Sequence, residues 1–184
     1  MFKKLTTAFF VLASLTFAPA AFGEPVILVF DVDRAIALSK AGKSMAKQLE
    51  AQVQKVRTDE AEVIKGLQSE AEKLKEQQKL LAPEALQKKV EELQMKEVER
   101  RRSLNEKIQS IQAGGQRAAA EIVKVAEQEL SDISKERKAD IVMRREAVFF
   151  ASPAIDVTGE LVSRLDKKLT KVTVTPVAVQ NNGR

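Results

Sequence analysis

Apolar positions between residues 44 and 144 recur at coiled-coil spacing. Leu49, Val56 and Val63 repeat every seven residues, while Val53, Leu67, Leu74 and Leu81 fall on a second row interrupted by Glu60. Alternating steps of three and four are the seam along which two helices pack. The pattern resumes with Leu86, Val90 and Leu93. It continues through Leu104, Ile108, Ile111, Ala118, Ile122 and Val125, with Ile133 and Ile141 beyond. The spans 26–82 and 84–152 contain no proline and are rich in Glu, Lys, Gln, Ala and Leu, all good helix formers.

Pro83 divides the two spans. A proline disfavours helix at the residue before it and suits the first turn of the helix after it. One helix is therefore expected to end near Leu81 and the next to begin near Pro83. A connection as short as 81–84 makes the two antiparallel. Folding back there sets Leu81 against Leu86, Leu74 against Leu93, Val63 against Leu104 and Val56 against Ile111, apolar on apolar each time. A single kinked helix is the alternative, disfavoured because helices usually stop before proline. Gly114 and Gly115 interrupt the returning span. They fit either close packing against Val53 or a hinge.

The ends of the chain have a different pattern. Val26-Ile27-Leu28-Val29-Phe30 is a continuous apolar run that predicts a buried strand over about 26–31. Ala147-Val148-Phe149-Phe150-Ala151 predicts a second, over 147–151. Leu161, Leu165 and Leu169 predict a helix over about 156–169, with Asp156 or Thr158 as N-cap. Lys171-Val172-Thr173-Val174-Thr175 alternates and predicts a third, exposed strand, and 180–184 looks disordered. The expected fold is mainly α with a small β body: residues 24–43 and 145–184 form the body, and 44–144 form a helical hairpin arm. Two or three short strands and one helix cannot cover both of their own faces, and isolated small sheets are marginal in water. Identical copies are the simplest source of cover. Pooled strands would close an oligomeric β-barrel, built from Ile27, Val29, Val148, Phe149, Phe150, Ile155, Leu161 and Leu165, with the coiled-coil hairpins projecting from it.

Composition narrows the function. Lys3 and Lys4 precede an uncharged apolar run over 5–18, then Pro19 and the small residues Ala21 and Gly23. That order is a secretory signal peptide over 1–23, with a run too short to span a bilayer. The chain has no Cys and no His, so disulfides, the usual zinc sites, Cys nucleophiles and Ser-His-Asp triads are excluded. No constellation of acid, base and nucleophile is visible, so an enzyme is not expected and no cofactor is implied. The net charge is +5, yet Lys and Glu are interleaved rather than gathered in a patch. Beyond residue 23 the only aromatics are Phe30, Phe149 and Phe150, which leaves few platforms for stacking bases. A basic nucleic-acid-binding protein is thus a weak alternative. A structural coiled-coil adaptor of the cell envelope is another.

Two local stretches carry a more specific signal. Val29-Phe30-Asp31-Val32-Asp33-Arg34-Ala35, followed by Ser39-Lys40-Ala41-Gly42-Lys43, resembles the strand-to-helix entry of the Skp (OmpH) family of periplasmic chaperones. Phe150-Ala151-Ser152-Pro153-Ala154-Ile155-Asp156-Val157-Thr158 resembles the family's exit into its last helix. The resemblance covers most of the chain beyond residue 23. It implies a periplasmic homotrimer with a β-barrel body and three helical arms enclosing a cavity. Unfolded outer-membrane β-barrel proteins would be held there without ATP, and aggregation prevented. A lipopolysaccharide-binding patch is described for some members, but its residues cannot be placed on this sequence. The tail beyond Leu169 is longer than the family pattern.

Holding an unfolded chain needs apolar contact without fixed shape. Ile64, Met95 and Val98 flank the seam and could supply it. Lys88, Lys89, Lys96, Arg100, Arg101 and Arg102 near the turn could attract acidic segments, anionic lipid or lipopolysaccharide. For each, seam packing or a solvated helix face is the plainer reading.

Overall fold

The computed structural model describes residues 24–178. The signal peptide expected over 1–23 and the disordered stretch expected over 180–184 lie outside the described residues. Strand β1 (Ile27–Phe30) leads into a short helix α1 (Val32–Leu38), then a long helix α2 (Lys40–Gln77). After a turn comes α3 (Pro83–Glu136), strand β2 (Ile141–Arg144), a single 3-10 turn (Arg145–Ala147) and helix α4 (Thr158–Lys168). The protein is mostly helical with a two-stranded sheet.

The helices are bounded by local chemistry. Asp31 caps α1 by accepting the Arg34 N–H at 2.8 Å. Ser39 is fully buried and serves both helices that meet at it. Its hydroxyl donates to the Ile36 carbonyl at 2.8 Å and accepts the Gly42 N–H at 3.0 Å. The last turn of α1 passes so close that a Cβ at Gly42 would collide with the Ile36 carbonyl. The Ser39–Gly42 pair therefore fixes the angle at which α2 leaves the base. Helix α2 stops at Gln77, four residues before the expected end, and the turn occupies 78–82. Ala82 is extended (φ −60°, ψ 145°) and Pro83 opens α3, as the steric rule for a residue before proline requires.

Helices α2 and α3 lie antiparallel. Glu70 pairs with Lys96, Glu60 with Arg100, and Leu49 rests on Gly115. The last contact departs from the sequence register, which placed Val53 against the glycine pair. Leu49, one helical turn earlier, takes that place.

Helix α3 ends at Glu136, well short of Ile141. Lys138 adopts a left-handed conformation (φ 51°). Its N–H donates to the Lys135 carbonyl at 3.1 Å, and the Ala139 N–H donates to the Ser134 carbonyl at 2.9 Å. That is a Schellman closure, made here without glycine. Residues 141–144, counted with the helix from sequence, instead pair in parallel with β1, Ile27 opposite Ile141 through Phe30 opposite Arg144. The second strand is thus 141–144, not 147–151. Pairing with β1 directly after the helix end satisfies the backbone groups of 141–144, whereas Phe149 and Phe150 stand exposed.

The core sits at the base. Leu28, Ala35, Ala41, Ala118, Ile122, Ala126, Ile133, Val157, Leu161 and Leu165 form one buried cluster joined by Val172 and Val174 of the tail. Each large aliphatic buried there stabilises the fold by roughly 1.5–3 kcal/mol. The tail is not the exposed strand expected from its alternation. It is an extended strap across α2 and α3.

Candidate functional site

The two stretches that carry the family resemblance meet at the base. Val29 donates to the Ile155 carbonyl at 2.8 Å, and Val157 donates back to the Val29 carbonyl at 2.9 Å. Thr158 Oγ1 accepts the Asp31 N–H at 2.9 Å, and Asp156 Oδ1 accepts the Thr158 N–H at 2.9 Å. Hydrogen bonds from the Thr158 hydroxyl and N–H hold the Asp156 carboxyl below its ordinary pKa, against partial burial that would raise it. Asp-x-Thr is therefore a lock that closes the exit segment onto the entry segment. Asp166 of α4 completes the joint by accepting the Lys40 N–H at 2.7 Å, at the first turn of α2.

A charged cluster ties α4 to the end of α3. Arg164 bonds both Glu136 and Glu160, and Arg137 also reaches Glu160. Burial pushes the Glu160 carboxyl up, but the two guanidinium groups outweigh it and leave it lowered. Bonds to Glu136 and Glu160 raise the Arg164 guanidinium above its already high ordinary value. This cluster is structural, and sequence spacing marks only its Glu160–Arg164 pair, four residues apart on α4, because Glu136 and Arg137 come from the end of α3.

The arm presents a different surface. Met95 and Val98 lie three residues apart on one face of α3, 71% and 68% exposed. With Glu91, Glu92, Gln94, Lys96 and Glu99 they border a shallow open hollow. Ile64 and Leu80 add further exposed aliphatic surface on the α2 side and at the turn. Of the basic residues, Lys88, Lys89 and Arg101 are exposed. Arg100 is not available in the way expected: it bonds Glu60 across the arm and Glu97 on its own helix, which raises its pKa. Arg102 bonds Glu106, and Lys96 bonds Glu70. The face is apolar with mixed charge rather than a basic patch.

Among the oligomer-body candidates, Val29, Leu161 and Leu165 are already buried within one chain, while Ile27, Val148 and Ile155 are half-buried. Phe149 is fully exposed and Phe150 nearly so. Gly114 and Gly115 are both in close contact. A Cβ at Gly114 would strike the Thr175 carbonyl of the tail, and one at Gly115 would lie 3.1 Å from Leu49 Cδ2. These contacts favour close packing as the reason for the pair. Among the described residues no group of three Asp, Glu, His or Cys could hold a metal ion, and no helix is long and apolar enough to cross a membrane.

The sequence profile of the family described as Outer membrane protein (OmpH-like) matches residues 26–165. This chain belongs to the OmpH-like family. Its fold is similar to the crystal structure of an OmpH-like protein from Caulobacter crescentus. The TM-score is 0.80 at 24% identity, covering 87% of this chain and 95% of that one. No curated protein sequence matches the chain.

Proposed function

We propose that this protein is a periplasmic holding chaperone that takes up unfolded outer-membrane β-barrel proteins without ATP and prevents their aggregation. Family membership supports a chaperone role in general terms. The observation that carries the finer reading is the exposed aliphatic surface of Met95, Val98, Ile64 and Leu80 on an arm that buries none of its own residues fully. Scattered apolar contacts of this kind, beside the exposed Lys88, Lys89 and Arg101, bind weakly one at a time and strongly in number. They suit a client whose apolar and polar side chains alternate and whose shape is not fixed.

The working form is a homotrimer. Strand β2 is paired on one side only, which leaves an edge for a strand of another copy, and Phe149 and Phe150 project from the base where partner chains would cover them. Three arms around a common base would then enclose the client, and anionic lipid or lipopolysaccharide would meet the basic residues near the turn. The test is the native mass of the chain with and without an unfolded outer-membrane barrel, together with light scattering as that barrel is diluted from urea. A trimer that gains one client and suppresses scattering is expected. A monomer that binds nothing defeats the proposal.

A further inference from the structure

The tail crosses α2 and α3 as an extended strap, and its backbone is read by side chains of α2. Gln48 Nε2 donates to the Val172 carbonyl at 2.7 Å, and Gln48 Oε1 accepts the Val174 N–H at 3.0 Å. One turn later Gln52 Nε2 donates to the Val174 carbonyl at 2.7 Å. The spacing has a geometric cause. Four helical residues rise about 6 Å, and two extended residues advance about 6.7 Å. Glutamines four apart on a helix therefore meet every second peptide of a strand lying alongside. On the other side, the Val177 N–H donates to the Ser110 carbonyl at 3.0 Å, and Gly114 makes room for the Thr175 carbonyl. Val172 and Val174 point into the core, while Lys171, Thr173 and Thr175 face water.

One bond is missing. Gln52 Oε1 is buried with no hydrogen-bond partner. By the repeat that Gln48 sets, its donor would be the N–H of residue 176, and residue 176 is proline, which has none. The tail occupies the groove one hydrogen bond short.

We propose that the groove between α2 and α3 is a binding site for an extended, alternating segment of an unfolded polypeptide, kept filled by the tail until a proline-free segment displaces it. The tail has the dyad pattern of a membrane β-strand, so it acts as a weaker internal stand-in for the client. A client strand with an N–H opposite Gln52 satisfies the buried acceptor that the tail leaves empty. This inference builds on the chaperone reading above and gives it one defined contact.

The test uses the chain from residue 24 onward and two fluorescein-labelled peptides, residues 170–178 and the same peptide with Pro176→Ala, followed by fluorescence anisotropy. The Pro176→Ala peptide is expected to bind about tenfold tighter. In a Gln52→Ala chain both peptides bind more weakly and the difference disappears. In a chain carrying Val172→Ser and Val174→Ser, which loosens the strap, both peptides bind more tightly than to the unaltered chain. Equal binding of the two peptides, a preference that survives Gln52→Ala, or loss of helix from the strap-loosened chain each overturns the proposal. The scattering assay separates the two levels. Suppressed aggregation without peptide discrimination removes this inference alone, whereas discrimination without suppression supports the groove and removes the chaperone reading.

Discussion

The base and the arm of this protein are built from the same helices and stabilised differently. At the base, α2 and α3 pack against α1, α4, the sheet and the tail, and Ile122 and Ile133 are fully buried. Along the arm, no residue from 43 to 110 is buried. The seam residues Val53, Val63, Val90 and Ile108 remain well exposed there, and ion pairs such as Glu70–Lys96 bridge the helices. Two helices have only each other to pack on, so each seam residue is covered on one side. The base adds a third and fourth layer. Sequence periodicity is the same in both regions, which shows that a heptad specifies contact but not burial.

Amide exchange would sharpen this contrast most. Amides of the arm, residues 57–107, are expected to exchange roughly a hundredfold faster than those of 118–133, because local opening of the arm exposes little apolar surface. Uniform protection along α3 would remove the distinction. The next largest effect is a core truncation. Ile122→Ala should cost about 4 kcal/mol in urea unfolding, and Leu93→Ala on the arm about 1 kcal/mol, since a half-buried site leaves no closed cavity. Equal costs would show that the arm is covered by something other than its partner helix.

Gly42→Ala tests the joint between the regions. The new Cβ would meet the Ile36 carbonyl, backbone that cannot swing aside, so a loss of about 3 kcal/mol is expected. Gly66, with nothing near its Cβ position, gives the opposite sign: Gly66→Ala should stabilise the arm by about 0.5–1 kcal/mol. Melting curves of the two variants check the pair. A smaller effect belongs to the Asp156 lock. Its folded pKa is lowered, so its contribution is complete above the unfolded value, about 3.9. That contribution is lost as pH falls through the lower folded value. Stability should therefore drop below about pH 4, and Asp156→Asn should flatten that part of the curve. An unchanged slope in the variant would assign the acid sensitivity elsewhere, with Glu136 and Glu160 the next candidates.

The sequence made some of this legible and not the rest. The helical spans and Pro83 at the turn followed from periodicity and proline chemistry, and strand β1 from its continuous apolar run. The second strand did not. Ile141 continues the apolar spacing of α3, and only the left-handed turn at Lys138 takes the chain off the helix and into pairing with β1. Lysine at that position is no sequence signal, because glycine is the residue that marks such a turn. Arg100 was equally opaque. A run of three arginines suggests a charged surface, yet Glu60, forty residues away, folds onto the first of them.

What the sequence determined alone is the local part: which stretches are helical, where proline divides them, and which two motifs mark the entry and exit of the base. Each depends on neighbours within a few residues. Tertiary structure decided which strand pairs with β1, what lies on the glycine pair, and where the tail goes. The alternation of Val172 and Val174 permits a strand or a strap. Gln48 and Gln52, more than a hundred residues away, supply the donors and acceptors that select the strap. Such partners cannot be read from spacing, because the chain brings them together only after the arm has folded back on itself.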